Sequence, residues 1–80
     1  VTTVDLSKRH PDTQHLMKWL TPNPRLDGIA LDVSTVVYNA AQDLVSILGD
    51  GAELSACLRK MREAKDCGVI QALDDSGGGT

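Results

Sequence analysis

Four of the eight basic residues in this 80-residue chain, Arg59, Lys60, Arg62 and Lys65, fall in one short stretch, LRKMREAKDCG (58 to 68). Guanidinium and ammonium groups clustered on one helix have the chemistry to hold phosphate oxygens through charge-assisted hydrogen bonds. The surrounding spacing complicates this. Leu58, Met61, Gly68 and Ala72 form a packing stripe at helical intervals, and Lys65 sits near its middle. On a helical wheel Arg62 lies at one edge of that arc, Lys60 near the other, and Arg59 faces away. A lysine in a packing stripe is costly unless an anion or water meets its ammonium group. Three arrangements satisfy that condition. The stem packs while the ammonium snorkels to water, or Lys65 pairs with Asp32 or Asp43 of a facing helix, or it meets a ligand phosphate. Gly68, one turn away, removes a side chain and leaves room for another backbone or a ligand.

The remaining chemistry-bearing residues are few. His10 and His15 are five positions apart and do not share a helix face. Together with Cys57 and Cys67 they show no metal-ligand spacing, so they read as surface or capping residues. Cys57 and Cys67 lie about 15 Å apart along a single helix, too far for an internal disulfide. Ser55 and Cys57 have basic neighbours but no histidine close in sequence, so no nucleophile, base and orienting acid can be assembled locally, and an enzyme is the weakest reading. Trp19 is the only tryptophan, Tyr38 the only tyrosine, and there is no phenylalanine. Trp19 suits a core anchor. On a short N-terminal arm it also suits contact with a neighbouring protomer or stacking on a planar ligand.

The elements that must position these residues follow from periodicity. A short helix is expected over about 12–20, with Asp12 able to cap it and Leu16, Trp19 and Leu20 at i, i+3, i+4. TPNP stops it, since residues before proline leave the helical region. Asn23 then suits an N-cap and Pro24 the first helical position. A long helix over about 24–48 carries the stripe Leu26, Ile29, Val33, Val36, Ala40, Leu44, Ile47. GDG ends it, with Gly49 suited to a left-handed C′ position, Asp50 to the next N-cap and Glu53 to a capping box. The closing helix covers about 51–73. So short a connection predicts an antiparallel two-helix hairpin, preceded by an arm (1–10) and followed by a tail (74–80) that reads as disordered.

Composition narrows the classes. A net charge of −3 argues against a general nucleic-acid surface, and no turn-linked recognition helix appears, which disfavours a DNA-binding regulator. No apolar run approaches the ~18 residues of a membrane span, and no secretion signal is seen. With free cysteines this suggests a reducing cytosol. A chain this short builds a marginal core and usually needs a staple; with the cysteine and histidine spacing against disulfide and metal, oligomerisation is the expected one. The wheel of the first long helix agrees. Its polar residues occupy about a third of the circle, and beyond the main stripe lie Ala30, Val37, Ala41, Val45 and Leu48. One partner helix cannot cover so wide an arc, which predicts self-association, with two-fold hairpin pairing as its first step.

HPDTQH (10 to 15), Trp19, the long apolar helix and GDGAELSACLRKMREAKDCGVIQAL (49 to 73) resemble small phage proteins. These carry the two-helix hairpin domain of anti-CBASS cyclic-oligonucleotide sponges, which the Thoeris anti-defence sponge shares. The likeness covers residues 10 to 73 and is strongest in the closing helix, with its basic LRK, then EAKD and an apolar finish. It implies an all-α, non-catalytic protein of the host bacterial cytoplasm, with no cofactor, that assembles into homo-oligomers, commonly hexamers built from dimers. It also implies binding of a cyclic di- or trinucleotide, or a cyclic ADP-ribose type ligand, between protomers, which starves an antiviral effector of its messenger. Chemistry and the LRK…EAKD match together nominate Arg59, Lys60, Arg62, Lys65, Trp19 and His10 as ligand-binding residues. The competing reading is a helical hairpin that docks on another protein without binding a nucleotide.

Overall fold

The computed structural model describes residues 5–78, and among them the architecture is all-helical with no strand. The elements are α1 (Pro11–Leu20), α2 (Gly28–Ile47) and α3 (Ala52–Leu73), the last continued by a π-helical turn, Asp74–Gly78. That turn occupies the start of the stretch expected to be a disordered tail, and its Gly77 takes φ +100°, a conformation that favours glycine. α2 and α3 pack against each other, and α1 lies against both.

The shared core is built from Leu16, Met17 and Leu20 of α1, Ala41 and Val45 of α2, and Leu54 and Leu58 of α3. Leu6, Val37, Tyr38 and Met61 pack around it. On α1 the inward row is Thr13, Leu16, Met17, Leu20, at i, i+3, i+4, i+7. Trp19 is not part of it: its residue surface is 47% exposed. The flexible thioether Met17 fills the place a rigid indole would have to fit.

α2 departs further from the expected pattern. Its buried positions are Ala30, Ser34, Ala41, Gln42 and Val45, while Ile29, Val36 and Ile47 of the expected stripe remain 52%, 68% and 76% exposed. The physical reason lies in side-chain size. Small residues let three helices approach closely, so the Ala30–Ser34–Ala41–Val45 side turns inward and the bulkier row is left outside. α2 approaches α3 closely at Gly68, where a Cβ would lie 2.7 Å from Val33 Cγ1. The room made by Gly68 is therefore filled by Val33, not left for a ligand.

The ends of the helices also differ from expectation. α2 starts at Gly28 rather than at Pro24. Asn23 is spent on a turn: its Oδ1 accepts from the Arg25 N–H at 2.9 Å and its carbonyl from the Leu26 N–H at 3.0 Å. Asp27 is then extended and Gly28 takes φ +56° to enter the helix, a backbone conformation for which glycine carries no Cβ penalty. His10, not Asp12, caps α1, its Nδ1 accepting the Asp12 N–H at 3.0 Å, with Pro11 at the first helical position. Gly49 is not left-handed, and α3 begins after Gly51 with no side-chain cap.

Asp50 is missing from that cap because three other groups claim it. Its carboxylate accepts the His10 backbone N–H, the Thr13 hydroxyl and Arg9 Nε, each at 2.9 Å. Arg9 reaches on to the carbonyls of Val45 (2.6 Å) and Leu48 (2.8 Å), which lie at the C-terminal end of α2. Those carbonyls have no partner within the helix, and a cation there also suits the helix dipole. One Arg–Asp pair thus ties the start of α1 to the α2–α3 connection. The His10 N–H, more than any other contact, holds the Asp50 carboxyl below the usual carboxylate range; the Arg9 and Thr13 bonds add to this, and partial burial opposes it.

Candidate functional site

The other end of α1 gathers the candidate residues. Trp19 presents its ring on the surface between α1 and α3, because the inward row of α1 passes through Leu16, Met17 and Leu20. Arg62 of α3 lies over that ring, its guanidinium carbon 4.5 Å from the ring centroid. This is a cation–π contact in which the guanidinium retains its donors for other partners. His15, one turn earlier on α1, meets the indole edge-on, with ring centroids 6.0 Å apart at 74°. The indole Nε1–H donates to His15 Nε2 at 2.9 Å. With Nε2 accepting, a neutral His15 carries its proton on Nδ1, free to donate outward.

Lys65 answers the packing-stripe problem in a way none of the three sequence-based arrangements anticipated. Its Nζ donates to the Trp19 backbone carbonyl at 2.8 Å. That carbonyl belongs to the last turn of α1, where acceptors lack helical partners and a positive charge complements the dipole. Lys65 is therefore a C-terminal cap supplied by a different helix, and its bond fixes the height of Trp19 against α3. Neither Asp32 nor Asp43 pairs with it among the described residues.

Around this stack runs a groove. Asp12, His15, Leu16, Trp19, Arg59 and Arg62 enclose about 330 Å³. It adjoins a second hollow of about 350 Å³ that shares Asp12 and Arg59 and extends to His10, Ser55 and the start of α3 at Gly51. Arg59 thus faces both. On the far side of Trp19 a wider and more apolar hollow of about 630 Å³ includes Lys18, Lys65 and Ile70. The described ion pair is Arg9–Asp50, and the His10 ring stands 3.8 Å from the Asp12 carboxylate; neither Arg59 nor Arg62 has a carboxylate within ion-pair distance.

Of the six nominated residues, Arg59, Arg62, Trp19 and His10 line the connected groove, and Lys65 supports it from behind Trp19. Lys60 does not join them. It lies on another face of α3 with Glu53, Cys57 and Met61. Two features escaped sequence reasoning, one in the groove and one that holds the start of α1. His15 was legible only as the residue one turn before Trp19, a spacing that permits their contact without predicting it. The Arg9–Asp50 tie, 41 residues apart in sequence, left no local signal. Among the described residues, no group of three or more His, Cys, Asp or Glu is placed to hold a metal ion. No described helix is long and apolar enough to cross a membrane.

Fold and site together define a small three-helix all-α chain with an aromatic ring and two unpaired guanidinium groups in one groove. Comparison with family models, curated proteins and solved structures gives no match.

Proposed function

We propose that this protein is a non-catalytic binder that sequesters a cyclic nucleotide messenger, a cyclic di- or trinucleotide or a cyclic ADP-ribose type ligand, as a phage immune-evasion protein of the host bacterial cytoplasm. The observation that carries the reading is the juxtaposition of Trp19, Arg62 and Arg59 in one groove. A base needs a π-face to stack on, which is worth about 1–3 kcal/mol per base. A phosphodiester needs guanidinium donors that no carboxylate has already taken. His15 and His10 at the groove margin add hydrogen-bonding groups for ribose or base edges. The segments that carry the likeness to cyclic-oligonucleotide sponges, HPDTQH, Trp19 and LRKMREAKD, converge on this same corner.

In this reading α2 and α3 form an antiparallel hairpin that homo-oligomerises, with a dimer as building block and a hexamer as the full assembly. Exposed Ile29, Val36 and Ile47 supply apolar surface for it. Sequestration needs no chemistry on the ligand, only affinity above that of the effector being starved. The test is a thermal-shift panel of cyclic di- and trinucleotides and cyclic ADP-ribose isomers. At least one should raise the melting temperature by several degrees and be recovered intact after heat denaturation. A flat response across the panel would contradict the proposal.

A second reading drops the ligand: the helical hairpin is an interaction module whose apolar α2 row docks on a different protein. The same exposed Ile29, Val36 and Ile47 favour it. It predicts that substitutions at Arg59 and Arg62 leave partner binding intact, whereas Val36→Asp abolishes it.

A further inference from the structure

Lys60, set apart from the groove, lies on a strip with a chemistry of its own. Glu53, Ala56, Cys57, Lys60, Met61 and Ala64 recur at intervals of three and four along α3 and line a shallow depression of about 430 Å³. A second depression shares Glu53 and Cys57 and carries the strip onto Leu48 and Leu54 beside the α2–α3 connection. There Leu48 is 43% exposed and its neighbour Ile47 76%. The middle of the strip is small and apolar. Its two charges stand seven residues apart, about 10 Å along the helix, too far to pair with each other. Neither enters a hydrogen bond or ion pair among the described residues.

We infer that this strip is a self-complementary interface, on which α3 of a second copy packs antiparallel about a two-fold axis. The inference rests on the self-association part of the proposed function and not on its ligand. The argument is one of charge register. A two-fold that sets Glu53 against the partner's Lys60 sets Lys60 against the partner's Glu53 as well, so one register forms two ion pairs and satisfies all four charges. The same register places Ala56 and Cys57 beside the axis. Small side chains there allow helix axes to approach to about 8 Å, the near end of the usual range. A parallel pairing in register would instead set Lys60 against Lys60 and Glu53 against Glu53, which like-charge repulsion opposes. Exposed ion pairs contribute little affinity and fix the register, while Leu48 and the partly exposed Met61 supply the apolar area. Lys60 thereby leaves the list of ligand contacts and becomes an interface residue.

Crosslinking of the full chain with a short bis-maleimide tests this, using two single-cysteine variants. Cys67→Ser, which retains Cys57, should give a covalent dimer in high yield, because two Cys57 side chains meet near the axis. Cys57→Ser, which retains Cys67, should give almost none, because each Cys67 stands ten residues further out and the pair is about 30 Å apart. Lys60→Glu and Glu53→Lys should each weaken dimerisation about fivefold or more, and the double charge swap should restore it. Both positions are exposed, and circular dichroism verifies that the variants fold. A native mass showing an oligomer in which Cys67 crosslinks and Cys57 does not, or charge reversals without effect, overturns this interface alone. A monomer at tens of micromolar overturns the interface together with the self-association reading, while the nucleotide panel still judges ligand binding separately.

Discussion

The two ends of α1 solve one structural problem with different residues. At its start, Arg9 crosses to the end of α2 and covers the carbonyls of Val45 and Leu48; at its finish, Lys65 crosses from α3 and covers the carbonyl of Trp19. Each is a cation capping a helix C-terminus from outside that helix. The difference lies in what else is present. Arg9 is matched by Asp50, and Asp50 is itself saturated by His10 and Thr13, so that end is closed in charge and in hydrogen bonds. On the groove side of the Trp19 that Lys65 caps stand Arg62 and Arg59, with no carboxylate bonded to either. The comparison separates cations that are paired within the chain from cations that are not. A cation with its counter-ion inside the chain holds the fold, and a cation left without one beside an exposed aromatic ring is available to something outside.

Substitutions separate the ends by magnitude. The largest effect belongs to the core they share: Leu58 is fully buried, and Leu58→Ala should cost about 3 kcal/mol in urea unfolding, with both ends loosened together. Arg9→Met comes next, at about 2 kcal/mol, because it strips charge-assisted bonds from two carbonyls and a carboxylate at once. Lys65→Met should cost about 1 kcal/mol, since it removes a single bond at a half-exposed position, and should shift the Trp19 emission. Smallest of all, Arg59→Met should change stability by less than about 0.5 kcal/mol while removing ligand binding. If Arg9→Met proved neutral and Arg59→Met strongly destabilising, the division between the two ends would be reversed.

Acid probes the closed end alone. The Asp50 carboxyl has a lowered folded-state value, so its contribution to stability is fully present above the ordinary unfolded range near ~4 and is lost as pH falls through the folded value. Asp50→Asn should flatten the acid limb of the stability–pH profile and leave the profile above it unchanged in shape. A similar probe exists at the α2–α3 contact. Gly68→Ala gains helix propensity but drives a methyl against Val33, a stiff β-branched neighbour, and should destabilise by about 1 kcal/mol. Adding Val33→Ala should recover part of that loss, which a double-mutant cycle measures.

How much of this was legible in the sequence follows from the range of each interaction. Helix type and approximate extent were legible because period and proline punctuation are local, and Leu58 and Ala72 of the α3 stripe are buried where their spacing put them. The rotation of α2 was not. Ile29, Val36 and Ile47 are more hydrophobic than Ala30, Ser34 and Ala41, and only the closeness of α1 and α3 sends the smaller residues inward. Asp50 looked like a cap because its neighbours in sequence are helix-start residues, yet its partners are some 40 residues away. At the candidate site, the basic cluster and Trp19 were legible by residue type. Their meeting was legible only in part, because whether Arg59 and Arg62 share a groove with the indole depends on how α1 crosses α3. Lys60 shows the limit: adjacent to Arg59 in sequence, it is turned about 100° from it on the helix and stands on another surface.

Trp19 fluorescence provides the most direct measurement, since the chain has no other tryptophan and the ring shares its groove with both unpaired guanidinium groups, Arg62 lying over it. Titration with each cyclic di- and trinucleotide and with cyclic ADP-ribose isomers should give a saturable change in emission for at least one ligand. That change should vanish in Arg59→Met at an unaltered melting temperature. Unchanged emission across the whole panel, or an identical titration in Arg59→Met, would contradict a nucleotide site in this groove.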